Sequence, residues 1–120
     1  MNANDLKELL ESSKNRFAVF EDRNTLSQCD FSVSELVNLI SDFLTDQQKR
    51  QLFELEHFKK LDSNTKSSII ICIADDNIKL EILENSNIIS NFSNNQVLSV
   101  VKSLGDYGKI QILHNLEFLK

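Results

Sequence analysis

The side chains able to do covalent or metal chemistry are few: Cys29 and Cys72, His57 and His114, and the acids Asp75-Asp76 and Asp106. A catalytic or metal site needs several such groups converging at ligand or triad spacing. The cysteines lie at unrelated spacing without a Cys-x-x-Cys pair, so they encode neither a disulfide framework nor a zinc knuckle, and a reduced context is expected. Cys72 sits inside Ile69-Ile70-Ile71-Cys72-Ile73-Ala74, where a thiol behaves as a small buried hydrophobe. Cys29, in Ser27-Gln28-Cys29-Asp30, has no neighbour that would depress its pKa. Neither histidine belongs to a His-Glu-x-x-His or similar ligand spacing, so both are read as structural or surface residues. The paired acids stand where helices are expected to begin, which makes them caps. With only Gly105 and Gly108 there is no glycine-rich phosphate loop. This inventory predicts no catalytic residue, no metal and no cofactor; the enzymatic alternative is a cysteine-dependent reaction at Cys29 with a histidine brought up by the fold.

The bulk properties narrow the class further. The chain has 120 residues, 41% of them apolar, and a net charge of -5. That length supports one domain with its own core. An acidic chain repels phosphate-rich partners, so no nucleic-acid binding is expected. The basic groups Lys14/Arg16, Lys49/Arg50 and Lys59/Lys60 are each interrupted by nearby glutamates and read as solvated helix faces. The start, Met1-Asn2-Ala3-Asn4-Asp5, lacks the basic and apolar regions of a signal peptide, and no apolar run is long enough to span a bilayer. A cytoplasmic protein without membrane contact is expected.

The elements that must position these side chains are helices. No proline and only two glycines argue against a loop-rich or β-sandwich scaffold and for an all-α chain. Shifted by 30 residues, Asp46-Gln47-Gln48-Lys49-Arg50-Gln51-Leu52-Phe53 lies over Asp76-Asn77-Ile78-Lys79-Leu80-Glu81-Ile82-Leu83 and then over Asp106-Tyr107-Gly108-Lys109-Ile110-Gln111-Ile112-Leu113. The front of the chain joins at a shift of about 33 residues, with Ser13 to Phe20 over Asp46 to Phe53. Taken alone, Ile78 to Ile82 alternates like a strand and Ser68 to Ile73 is β-branched. The aligned copy from Gln47 to Lys60 is rich in helix formers, and equivalent positions of a repeat share one backbone, so helix is preferred throughout.

Each unit then holds two helices, A then B. Ser32 with Glu35 forms a capping box before a stripe of Val33, Leu36, Val37, Ile40, Phe43 and Leu44, with a Phe31 to Leu36 staple. Thr45 or Asp46, Asp62 or Ser63, Asp75 or Asp76, and Ser93 or Asn94 open the following helices. Gly105 is expected to close a B helix in a left-handed conformation. Residues 4–27 form one or two helices. The whole reads as seven or eight helices stacked as a small HEAT-like solenoid.

Such stacks work mainly by holding other proteins. The B helices are expected to line the partner face, offering Glu35, Asn38, Asp42, Lys66, Gln96, Ser99 and Lys102, with Tyr107 as an anchor in the adjoining turn. The last A helix lacks a B partner, so Ile112, Leu113, Leu116, Phe118 and Leu119 call for cover. A homodimer or an obligate partner contact through this segment is predicted.

The length, the composition rich in Asn, Ser, Ile and Lys, the missing secretion signal and the recurring Asp-x-x-Lys segments resemble small helical effectors of Legionella-type intracellular bacteria. Within that group the chain looks like inhibitors that bind a ubiquitin deamidase and a related ubiquitin transglutaminase. The resemblance is spread over the whole chain and transfers no functional residue. It implies a protein delivered into a host cell without a signal peptide, blocking a partner enzyme and carrying no chemistry of its own. The alternative is an adaptor joining two proteins without inhibiting either.

Overall fold

A computed structural model describes residues 2–27 and 32–114, with only the helical backbone described for Leu113 and His114. The chain is all-helical. Among the described residues it has eleven helices and no strand: α1 (Ala3–Ser12), α2 (Arg16–Glu21), α3 (Arg23–Ser27), α4 (Val33–Phe43), α5 (Asp46–Leu52), α6 (Glu56–Lys59), α7 (Ser63–Ile71), α8 (Asp76–Leu83), α9 (Ser86–Ile89), α10 (Asn94–Lys102) and α11 (Asp106–His114). They fall into two compact units, residues 1–60 and 61–120.

The helices are short because capping residues recur every few turns. Asn2, Ser32, Thr45 and Ser93 each accept the backbone N–H three residues on, and the side chains of Asp5, Glu35, Gln48 and Gln96 return the bond to the cap residue's own N–H. Asp75 accepts the N–H groups of Asn77 and Ile78 instead. The expected helix starts at Ser32, Thr45, Asp75 and Ser93 are therefore the observed ones. Asp62 precedes α7 but caps no backbone donor; its carboxylate takes the Thr65 hydroxyl.

The helix count exceeds the expected seven or eight for two reasons. Residues 4–27 hold three helices, with breaks at Ser13 and Asp22, both extended. Gln47 to Lys60 is also not one helix. After Leu52 the N–H groups of Phe53, Glu54 and Leu55 bond to carbonyls three residues back, Leu55 turns extended, and α6 begins. Asn85 does the same before α9, its side chain accepting the Asn87 N–H at 3.1 Å. The break returns Phe58 and Ile88 to the interior, which a continued helix would not do. In numbering, α5, α8 and α11 begin at 46, 76 and 106, and α6 and α9 at 56 and 86.

In the first unit the interior is Leu6, Leu10, Phe20, Val37, Leu39, Ile40, Leu44, Leu52, Phe53 and Phe58, with α1 against α4 and α2 against α5. Val33, expected on the buried stripe of α4, is exposed, because it is the first helical residue and has no preceding turn beneath it. Arg16 spans the loop between α1 and α2: its Nε donates to Leu10 O at 3.1 Å and its guanidinium lies 5.0 Å from the centre of the Phe43 ring. Phe31, proposed as a staple, lies outside the described residues.

In the second unit α7 packs along α10, and α8 along α11 and α9. Ile69, Ile70, Ile73, Ile82, Leu83, Ile88, Val100, Leu104 and Ile112 fill the interior. The β-branched run Ser68 to Ile73 is thus helical through Ile71, its branched side chains packed rather than paired in a sheet.

Candidate functional site

The end of the second unit, where α8, α10 and α11 meet, gathers the features that the sequence singled out around its two glycines. Gly105 precedes α11 in the cap position, and its carbonyl accepts the Lys109 N–H at 3.0 Å. A glycine offers no capping side chain. The carboxylate comes from another helix: Asp76, in the first turn of α8, accepts the Gly105 N–H on Oδ1 at 3.1 Å and the Gly108 N–H on Oδ2 at 3.0 Å. Both orphan donors and the positive end of the α11 dipole are thereby met by one anion.

This explains the glycines by close approach. A Cβ on Gly105 would lie 3.1 Å from Asp76 Oδ2, and one on Gly108 would lie 3.0 Å from Asp76 Cγ and from Leu104 Cδ2. The left-handed closure expected at Gly105 is absent, since no described glycine has positive φ. The glycines serve the start of α11 and its contact with α8.

At the C-terminal end of α10, next to this cap, a second long-range bond operates. Lys79 is 3% exposed, and its Nζ donates to both Ser103 O and Ser103 Oγ at 3.1 Å. A cation at a helix C-terminus satisfies a carbonyl left over by the helix and complements the dipole. Between the N-terminal turns of α7 and α10, Gln96 Nε2 donates to Asn64 Oδ1 at 2.6 Å. Helix ends in this unit are joined side chain to side chain as well as through apolar contact.

Of the side chains able to do chemistry, Asp75 and Asp76 cap helices, and His57 is bonded within the first unit. His57 Nε2 is 2.7 Å from Phe20 O, and the ring packs on Phe58 with centroids 5.0 Å apart, so the imidazole ties α6 to the end of α2. Asp22 accepts the N–H groups of Asn24 and Thr25. The Thr25 backbone N–H, then the Thr25 hydroxyl and the Asn24 N–H, hold its carboxyl below the ordinary value of 3.8. Cys72, just past the end of α7, is half-buried. Cys29 lies outside the described residues, as does any pairing of it with a histidine. Among the described residues no three His, Cys, Asp or Glu side chains are grouped to hold a metal ion. No helix of the described residues is long and apolar enough to cross a membrane.

The predicted partner positions separate. Asp42, Ser99, Lys102 and Asn38 are exposed on α4 and α10; Glu35 is exposed too, with its carboxylate engaged by Ser32. Gln96 is half-buried and bonded to Asn64. Lys66 departs from the reading as an open polar position: it is only 6% exposed, within a stretch of α7 where Thr65 and Ser67 are also buried. Tyr107 is 55% exposed, with Ile110 beside it at 52% and Leu98 on α10 at 47%. Leu113 lies on α11 without a described side chain, and Leu116, Phe118 and Leu119 lie outside the described residues. The exposure of Leu98 and Ile110 was missed. The signal available for Ile110 was its place on the same helix face as Tyr107, three residues on.

The described residues define a class, an all-α chain of short capped helices, and likeness adds nothing further. No protein family, no curated protein and no solved structure matches this chain.

Proposed function

We propose that this chain is a non-catalytic helical-repeat module, a small HEAT-like solenoid of 30-residue units, that binds and inhibits a partner enzyme. The observation that carries the reading is the exposure of Tyr107 and Ile110, three residues apart on one face of α11. Large apolar side chains grouped at a surface mark a site of protein contact more often than scattered ones do. The polar residues nearby serve the fold: Asp76, Lys79, Asn64, Gln96 and Ser103 are bound to one another or to helix ends. That leaves Tyr107 and Ile110 as the binding groups. By resemblance the partner is a ubiquitin deamidase or transglutaminase delivered by the same kind of bacterium.

Co-purification with such an enzyme, followed by titration of its activity, tests the proposal. A stable complex and stoichiometric loss of activity are expected; no complex and full activity at molar excess contradict it. A second reading, pairing of two copies through α11, rests on the same exposed Tyr107 and Ile110. Sedimentation of the chain alone separates the two, since pairing requires a dimer that Ile110→Asp dissolves.

A further inference from the structure

Helix α7 has little local reason to be a helix. In Ser63-Asn64-Thr65-Lys66-Ser67-Ser68-Ile69-Ile70-Ile71 only Lys66 is a strong helix former, and Asp62 in the cap position makes no side-chain bond to the first turn's backbone. The run that follows Lys66 has the composition of a strand. Isoleucine fills four of the five positions from Ile69 to Ile73, and no charge, proline or glycine lies between Lys66 and Asp75. Packing decides the backbone: Ile69, Ile70 and Ile73 are buried, and α7 lies along α10. Ile71 is the exception, 40% exposed, and adds little to that interior.

We infer that residues 67–74 are a latent cross-β segment, helical while α7 is docked and paired with the same segment of a second copy of this chain once α7 is released. In an extended strand the side chains alternate, so Ile69, Ile71 and Ile73 share one face and Ser68, Ile70 and Cys72 the other. Stacked in register, the first face makes a dry zipper of isoleucines. Lys66 and Asp75-Asp76 bound the segment and stop the pairing from spreading. The run 85–101 is also uncharged, but Asn, Gln and Ser interrupt it so that no strand face carries three consecutive apolar side chains. Ile71 separates the two states. It lies outside the helical core and at the centre of the zipper face.

The full chain, agitated at the foot of its urea transition, tests this. Fibres diffracting at about 4.7 and 10 Å are expected, with a protease-protected core that includes residues 67–74. Ile71→Asp is expected to lengthen the lag in thioflavin fluorescence about tenfold. Position 71 is the last of α7, where a carboxylate opposes the helix dipole, so this variant is no more stable than the wild type and its delay does not come from a firmer fold. Leu98→Asp, at an exposed position of α10 in the other uncharged run, adds the same charge and is expected to keep the lag within about twofold of the wild type. Both variants keep the wild-type circular dichroism spectrum in water. A wild-type chain that stays dispersed, aggregates without the two spacings, a protected core that omits residues 67–74, an unchanged lag for Ile71→Asp, or an equal delay for Leu98→Asp would each overturn the inference.

Discussion

Removing the Asp76 carboxylate should loosen α11 specifically, and the size of the effect can be worked from the geometry. Asp76→Ala deletes the acceptor of two N–H groups, those of Gly105 at 3.1 Å and Gly108 at 3.0 Å. Gly105 is exposed, so water replaces the carboxylate there at small cost. Gly108 is buried, so its N–H loses a partner without gaining one. A lost N-cap costs about 1 kcal/mol and an orphaned buried donor about 1–3 kcal/mol. The two overlap at this site, and a net loss of about 2 kcal/mol is expected. Urea unfolding followed by circular dichroism measures it, and hydrogen exchange locates it in α11.

The reasoning also predicts a rescue. A Cβ on Gly105 would lie 3.1 Å from Asp76 Oδ2, so while Asp76 is present a side chain there must push the carboxylate aside by a few tenths of an ångström. Once Asp76 is alanine the space opens, and Gly105→Ser supplies the cap from α11 itself, as Ser93 does for α10. Gly105→Ser should therefore destabilise the wild type slightly and stabilise Asp76→Ala by about 1 kcal/mol. An Asp76→Ala variant within about 0.3 kcal/mol of wild type, or a serine effect of the same sign in both backgrounds, would refute the account of the glycines.

Three further outcomes are expected. Lys79→Met keeps the buried stem and removes the donor to Ser103; it should cost about 1–2 kcal/mol and speed amide exchange in the last turn of α10, with exchange in the first unit unchanged. Phe58→Ala, at a site 1% exposed, should cost about 3–5 kcal/mol, a large part of the stability of a domain this size, and a loss under about 1 kcal/mol would place α6 outside the core. Because the folded Asp22 carboxyl titrates below its ordinary value, its contribution to α3 is present at neutral pH and is lost as pH falls through the folded value. The Asn24 and Thr25 amide shifts should titrate with a midpoint below 3.8, and a midpoint at or above it contradicts the hydrogen bonding described.

The parts of this fold legible in the sequence are those decided within one turn. Ser32 with Glu35, Thr45 with Gln48, and Ser93 with Gln96 are reciprocal caps three residues apart, and they mark the starts of α4, α5 and α10. Helix over strand at Ile78 to Ile82 was also readable, because the aligned segment from Gln47 carried stronger helix formers. The extended breaks at Leu55 and Asn85 were not, since neither is a proline or glycine, and a four-residue helix shows no periodicity. Those breaks follow from burying Phe58 and Ile88, a choice made by packing.

The candidate site divides the same way. Tyr107 was singled out in the sequence as a turn residue and lies instead in the first turn of α11, exposed, whereas the roles of its neighbours depend on partners 24 to 32 residues distant. Lys79 reads as a surface lysine until its ammonium is found on Ser103. Asp76 reads as a local cap until its carboxylate is found on another helix. Gly105 was assigned to the end of α10 because a helix-ending glycine is the common case, and only the distance to Asp76 shows that it belongs to the start of α11.

The central proposal is that the chain inhibits another enzyme through the exposed Tyr107 and Ile110 of α11. Its most direct test is a titration of a ubiquitin deamidase or transglutaminase effector with the wild-type chain and with Ile110→Asp. The account predicts stoichiometric loss of activity with the wild type and retained activity with the variant. Full enzyme activity at molar excess of the wild-type chain, or equal inhibition by the variant, would contradict it.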